Sequence, residues 1–526
     1  MPTSSSASRF DAVVIGAGFG GLGAALTLAE GGARVCLLEQ LSYPGGCAST
    51  FRRRGHRFES GATLFSGFGE GQLFRRWIDR HQLPVTIDFI DPLVELRTPD
   101  LTLRVGRDRE ALVQHLASLP GAPVDGLKAF FRYQKQVADA LWPLFDDPAL
   151  LPPFGARSLL RHLARGPAYL PLASAVGRSL GAVLRRFGVD RFRPLRIYLD
   201  ALCQITVQCS AEEAEAPFAL STMDYYYRGT GHVRGGIGQL AGALLEATRG
   251  LGAEVHLARQ VRQLERVGDR WRVHARGGLE VEAPTVVANL LPHNVARLVD
   301  ARSPRLERRA RRVEQGWGAA MLYLVVDPPP GAAPEAHHLE LVPDPQQDFI
   351  EGHHLFCSIG EAHPTTSAGR GERTLTVSTH VPMAKLRSLD PSEQGIYVQS
   401  VQDRMRRGLA QLAPEWWSRV TLDMSGSPRT FERFTGRAHG YVGGIPRRRG
   451  LHHYLDLIPG CPFPGLHLVG DSVFPGQSTL ATAMGGIKAA ERVLGPSRRA
   501  LAGPREARAL PQPSSAGLES STVNQR

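Results

Sequence analysis

The chain has 526 residues, 42% of them apolar and 21% charged, the composition of an ordinary folded protein of two or three domains with a large core. Its 57 Gly and 38 Pro are too few for a collagen-like or low-complexity chain, and no apolar run reaches the roughly 18 residues of a membrane-spanning helix. The net charge of +12 is carried almost wholly by arginine, since only Lys128, Lys135, Lys385 and Lys488 are lysines; it favours anionic surfaces, but no nucleic-acid motif accompanies it, so nucleic acid is not an expected partner. Six cysteines occur without a C-x-x-C pair or zinc-type spacing, so they are expected to be reduced packing residues in a cytoplasmic protein.

Residues 10–15 form a short apolar strand, and Gly16-Ala17-Gly18-Phe19-Gly20-Gly21 follows it at once. A helical pattern (Leu22, Ala25, Leu26, Ala29) comes next, stopped by Gly31 and Gly32, and residues 34–38 form a second strand that ends at Glu39. This is the layout of a dinucleotide site. Gly16 permits the tight turn, Gly18 admits a pyrophosphate to the backbone, and Gly21 lets helix and strand pack closely. The helix N-terminus offers free N–H groups to phosphate. Glu39, 23 residues after Gly16, is placed to accept ribose hydroxyls and would repel a 2′-phosphate. A second pair of glycines, Gly45-Gly46, lies just beyond, followed by a basic run at 52–54 and the segment Gly55-His56-Arg57-Phe58-Glu59-Ser60-Gly61.

Residues 101–225 read as mostly helical, for example 111–119 and 127–144. Within them, residues 157–196 hold nine Arg and one acid, Asp190, interleaved with Leu159, Leu160, Leu163, Leu170 and other apolar residues. That mixture suits a surface lying against a membrane and equally a solvated basic face on a helical cap. A helix and strands are expected over 234–264, 271–275 and 286–289. A β-rich lobe is expected over 316–382, with a helix at 403–412 and a strand at 420–424. Finally, residues 465–470 form an apolar strand ending in Gly470-Asp471, and Ser472-Val473-Phe474-Pro475-Gly476-Gln477 leads into a helix of small residues containing Gly485 and Gly486. Asp471 suits either a ligand hydroxyl or a helix cap, and Gln477 either a ring contact or a turn.

The fingerprint, the acid, the Gly-Gly pair and the terminal G-D-S-x-F-P-G-Q string together resemble the FAD-dependent phytoene desaturase and carotenoid desaturase–isomerase family of the amine-oxidase-like flavoproteins. The resemblance implies an α/β fold: a Rossmann-type FAD-binding domain interleaved with a substrate domain made of a β-rich lobe and a helical, membrane-facing cap. It divides the chain into FAD-binding parts at 1–105, 226–300 and 436–496, the cap at 106–225, the β-rich substrate domain at 301–435 and a disordered tail at 497–526. It implies FAD as cofactor, held by Gly16, Gly18, Gly21, Glu39, Gly45, Gly46, Gly470 and Asp471, with Val261 flanking the adenine through its backbone. Glu59 and Gln477 are catalytic candidates. No metal is expected. The expected reaction is desaturation, the removal of two hydrogens from a C–C bond of an apolar polyene taken from a membrane surface, with an external electron acceptor that the sequence does not name. The alternative is cis–trans isomerisation on the same scaffold. More remote are an amine oxidase and a non-enzymatic prenyl-binding escort.

Overall fold

The protein is described by a computed structural model covering residues 7–152, 154–333, 335–362, 371–455 and 461–499. The expected tail lies outside these residues from position 500 onward. Its first sheet is wholly parallel. Strands β1 (Ala12–Ile15), β2 (Val35–Leu38), β3 (Glu254–His256), β4 (Thr285–Ala288) and β5 (Leu466–Leu468) lie in the order β3-β2-β1-β4-β5. Val13 pairs with Cys36 on one side and Val286 on the other, and Val286 in turn pairs with Leu466. The central strands are Val- and Leu-rich and buried on both faces, as a sheet covered on two sides requires.

Three helices cover one face. Helix α1 (Phe19–Glu30) packs against α2 (Ile237–Gly250) and against α3 (Thr479–Arg499). Leu22, Leu26, Leu240, Leu244 and Met484 share one core cluster. The α1–α3 contact is made by glycine: a Cβ on Gly23 would sit 2.6 Å from the Ala483 carbonyl, and one on Gly486 only 2.0 Å from the Gly20 carbonyl. Gly486 therefore serves helix–helix approach. Gly485 has no such need, its imagined Cβ meeting nothing closer than 3.6 Å.

The second sheet has seven strands, in the order Val420–Gly426, Trp317–Val326, Arg373–Pro382, Leu355–Ile359, His337–Leu341, Val94–Arg97, Thr102–Val105. The last two strands precede the boundary expected at residue 105. They join this sheet because Val94–Arg97 runs parallel to His337–Leu341, a pairing some 240 residues distant that local pattern does not reveal. Helix Pro391–Leu412 starts twelve residues earlier than the expected 403, where Asp390 and Glu393 form a reciprocal cap. It buries Val401, Met405 and Leu409 against the outer sheet face. The inner face, bearing Ala319, Met321, Ser378 and His380, looks toward the first sheet. Helices Arg109–Ser118, Val124–Leu141, Leu180–Arg186, Arg193–Thr206 and Ala216–Thr222 make the cap, with their own core around Leu127, Phe130, Leu184, Leu199 and Leu220. Among the described residues no helix is long and apolar enough to cross a membrane.

Candidate functional site

A cavity of about 750 Å³ runs between the two sheets and under the cap. Residues far apart in sequence meet on its wall: Gly16 and Gly18 of the first turn, Glu39 at the end of β2, Gly45 and Gly46, Val261, Gly470 and Asp471 after β5, and Gln477 before α3.

The first turn is held by backbone. Gly16 N–H donates to the Leu38 carbonyl at 2.8 Å, and Gly45 N–H to the Ala17 carbonyl at 2.8 Å, which draws the second glycine pair onto the first. Gly16 has φ +92°, a left-handed value that favours glycine. Gly21 does not line the cavity. It lies beneath the turn, and a Cβ there would be 1.8 Å from the Gly16 carbonyl oxygen. Glu39 is 6% exposed, and its carboxylate accepts from the Ala17 amide at 2.7 Å and the Leu41 amide at 2.8 Å. Burial raises its pKa against these hydrogen bonds.

Asn289 belongs to this site, and sequence reading passed over it as a strand end. Its side chain stands where four glycines converge: a Cβ on Gly18, Gly20 or Gly470 would lie 2.7–2.8 Å from the Asn289 amide, and one on Gly16 would lie 3.0 Å from the Asn289 carbonyl. The available signal was the register, since β4 pairs with β1 and delivers residue 289 directly beside the turn. A crevice walled by glycine where any Cβ would intrude, at a helix N-terminus, fits a dinucleotide pyrophosphate.

At the far end of β5, the Asp471 carboxylate pairs with Arg437 at 2.8 Å, both side chains less than one-fifth exposed. Burial works against the Arg437 guanidinium, but Asp471 outweighs it and holds its pKa above the usual value. Gln477 lines the cavity, and its Nε2 donates to the Ile205 carbonyl at 2.6 Å, tying the loop before α3 to the cap.

Glu59 is corrected. Its carboxylate does not reach the large cavity. It faces a separate small pocket at the start of α2, accepting from the Ile237 amide at 2.8 Å and the Thr50 hydroxyl at 3.1 Å. Beside it, Glu361 accepts from the Gly235 amide and shares a 2.6 Å contact with His232. Two carboxylates thus accept from backbone amides at the N-terminus of α2, where negative charge is favoured. Burial pushes Glu59 up to about 7. Burial also acts upward on Glu361, but the His232 contact and backbone donors outweigh it and bring the group to about 2. The signs differ. Glu59 is protonated more readily in the fold, so its contribution weakens as pH rises from about 4.5 to about 7. Glu361 loses its contribution as pH falls from about 4.5 to about 2. Glu59→Gln should therefore match the wild type at pH near 4.5 and exceed it in stability above pH 7, by on the order of 1–3 kcal/mol in denaturant titrations. An advantage that is the same at both pH values would contradict this.

A family profile described as an NAD(P)-binding Rossmann-like domain matches residues 14–80. Prolycopene isomerase of Arabidopsis thaliana is 27% identical over 524 residues, covering 92% of this chain and 83% of that protein. The neurosporene-forming phytoene desaturase of Cereibacter sphaeroides is 25% identical, covering 82% of this chain and 84% of its own length. The all-trans-retinol 13,14-reductase of Homo sapiens is 24% identical, covering 89% and 82%. The isomerase thus matches with more identity and coverage of this chain than the desaturase. Among solved structures, a putrescine oxidase variant shares the fold, with a TM-score of 0.62, 17% identity, and coverage of 93% of this chain and 99% of that one.

Proposed function

Because the chain belongs to the carotenoid isomerase/desaturase family of the FAD-binding, amine-oxidase-like superfamily, we propose that it is an FAD enzyme that moves a long polyene between cis and trans geometry. The observation that carries this reading is the cavity itself, one space shared by a dinucleotide crevice and an apolar passage. The match to prolycopene isomerases supports isomerisation over the desaturation expected from sequence. Desaturation stands as the second reading, supported by the Cereibacter relative.

The residues present fit FAD. Gly16 and Gly18, seated on Gly21, would admit the pyrophosphate, with Asn289 and Gly470 opposite. Glu39 would take the ribose hydroxyls, the backbone at Val261 would flank the adenine, Gly45 and Gly46 would close over the dinucleotide, and Asp471 would meet the linking chain. Bound there, the flavin supplies the electron chemistry, which side chains cannot. The protein supplies a dry, shaped passage. Ile205 and Phe218 of the cap face Met321 and Phe356 of the seven-stranded sheet across the cavity. Gln477 keeps cap and cofactor loop in register through Ile205. Isomerisation leaves substrate and product with the same atoms and electrons, so no acceptor is consumed. Desaturation would require an external one.

An exposed apolar face near the cavity supports delivery of an oily substrate from a membrane surface. On helix Ala156–Ala164 and the turn after it, Leu160, Leu163 and Leu170 are 65–73% exposed, and Phe154 and Leu159 are exposed beside them. Arg157 and Arg161 are exposed on the same helix. Ser158 fixes the helix to the preceding turn through the Ala149 carbonyl, and Trp142 and Phe145, just upstream, line the cavity. Basic, apolar and next to the passage, this face is suited to an anionic membrane surface. Beyond residue 170 most apolar residues of the 157–196 segment turn inward, Leu184 and Leu195 being buried, though Val176 stays exposed, and Arg185 and Arg196 bind Glu212.

The FAD-loaded protein, with flavin chemically reduced, should shift the absorption spectrum of a cis-polyene held in vesicles containing acidic lipid. The variant Leu160→Ser with Leu163→Ser should bind those vesicles on the order of tenfold more weakly in a flotation assay, while keeping its flavin. Unchanged spectra with every polyene would remove the function, and unchanged vesicle binding would remove the docking face.

A further inference from the structure

Isomerisation consumes no electrons, yet on the reading above it starts from reduced flavin. The flavin must therefore be charged at the outset and recharged each time oxygen discharges it. The chain carries one dinucleotide fingerprint, and that reading gives it to FAD, so the electrons come from outside. A surface beside the cofactor loop is suited to receive them. Residues 297–312 hold seven arginines against two acids, Asp300 and Glu307. Most of them lie on helix Pro304–Val313, which packs on helix Pro292–Leu298. Val295, Val299, Leu306 and Val313 are buried beneath this surface. Two arginines anchor it. Arg309 Nη1 donates to the Ser472 carbonyl at 3.0 Å, one residue beyond Asp471 on the cavity wall, and Arg312 Nη2 to His453 Nδ1 at 3.1 Å. The others, Arg297, Arg302, Arg305, Arg308 and Arg311, are exposed and have no carboxylate partner among the described residues. Arg297 also lines the cavity, so the charged face reaches from the cavity rim to the cofactor loop. Helix Ala156–Ala164 mixes its arginines with exposed leucines, but here no large apolar side chain is exposed. Charge without an apolar face does not seat a helix in a bilayer surface. It suits a water-soluble partner of opposite charge, which it steers and orients.

We propose that the arginine face of helix Pro304–Val313 docks an acidic one-electron carrier protein, which reduces the flavin from beside the loop that holds Asp471. Two carriers are each oxidised by one electron, and two protons from water complete the reduced flavin; the polyene takes no part in this step. The proposal rests on the isomerase reading above, which requires reduced flavin, and adds the partner that supplies it.

The test mixes full-length, FAD-loaded, oxidised protein with a reduced acidic [2Fe–2S] ferredoxin in the absence of oxygen. Flavin bleaching is followed by stopped flow, and association of the two proteins by sedimentation, which needs no turnover. The second-order rate should fall about tenfold as ionic strength rises from low to physiological. Arg308→Glu with Arg311→Glu should lower it about tenfold at low salt and weaken association to match, and Arg308→Gln with Arg311→Gln should fall between. Lys128→Glu with Arg132→Glu, the same charge change at exposed positions of helix Val124–Leu141, should leave both readouts near wild type. Photoreduction, which needs no partner, should proceed equally in all four proteins. A rate indifferent to salt and to both substitutions at 308 and 311 overturns the proposal, as does a control variant slowed as much. A reversed variant that keeps its ferredoxin rate but loses acidic vesicles or an oligonucleotide also overturns it, assigning the face to lipid or nucleic acid. Failure of the photoreduced wild type to isomerise any polyene would instead remove the parent reading, and the rate and association data would still decide the docking face.

Discussion

Gly21→Ala should yield a protein that retains almost no flavin and unfolds more readily than the wild type. The added Cβ would lie 1.8 Å from the Gly16 carbonyl oxygen and 3.0 Å from its carbon. Neither atom is the end of a flexible side chain. Both belong to a turn fixed by Gly16 N–H on Leu38 and by the closeness of Gly16 to the Asn289 carbonyl. Helix α1 would have to lift off β1, and α3, which touches α1 at Gly23 and Gly486, would lift with it. Overpacking of this kind costs about 1–3 kcal/mol or more and opens the pyrophosphate crevice directly. Gly242→Ala is the matched control. It sits in α2, its Cβ would meet nothing within 4 Å, and it should be neutral or stabilising by up to about 1 kcal/mol. Flavin absorbance per protein and the thermal midpoint check both. A yellow, fully loaded Gly21→Ala protein would contradict the assignment.

The second large effect is expected at Arg437. Arg437→Met removes the partner of the Asp471 carboxylate on the cavity wall and leaves the Tyr441 carbonyl without its donor. Breaking a buried pair from one side costs more than the pair contributes, because a charge is left behind. With both side chains slightly accessible, the loss should be about 3 kcal/mol in denaturant titrations, at the low end of the range for such pairs. Removing both charges, in Arg437→Met with Asp471→Asn, should recover at least about 1 kcal/mol of that loss. Strictly additive losses would show that the pair is energetically idle.

The two sites differ in how far they could be read from the chain. The first turn was legible because its work is done by backbone: Gly16, Gly18 and Gly21 are demanded by local geometry, and the strands either side carry unmistakable apolar runs. Gly470 and Asp471 were legible for the same reason at the other end. The surroundings of Glu59 were not legible because its partner, the Ile237 amide, lies 178 residues away, and a carboxylate beside a glycine segment looks alike whether it serves a cofactor or a helix terminus. Asn289 could not be picked out, since it follows a strand whose pattern tells which residues share a face, and only the pairing of that strand with the first one brings residue 289 beside the glycine turn. The basic segment at 157–196 was read as one surface, but its apolar residues divide, Leu159, Leu160, Leu163 and Leu170 standing exposed and most later ones turning inward while several arginines stay at the surface. Leu180, Leu184 and Leu195 went into the cap core once neighbouring helices covered them.

The most direct test of the whole account is the mass and geometry of the product. FAD-loaded protein with reduced flavin, given a single cis-polyene and no electron acceptor, should return an isomer of unchanged mass with a different chromatographic position. A product two hydrogens lighter, formed only when an acceptor is added, would contradict isomerisation.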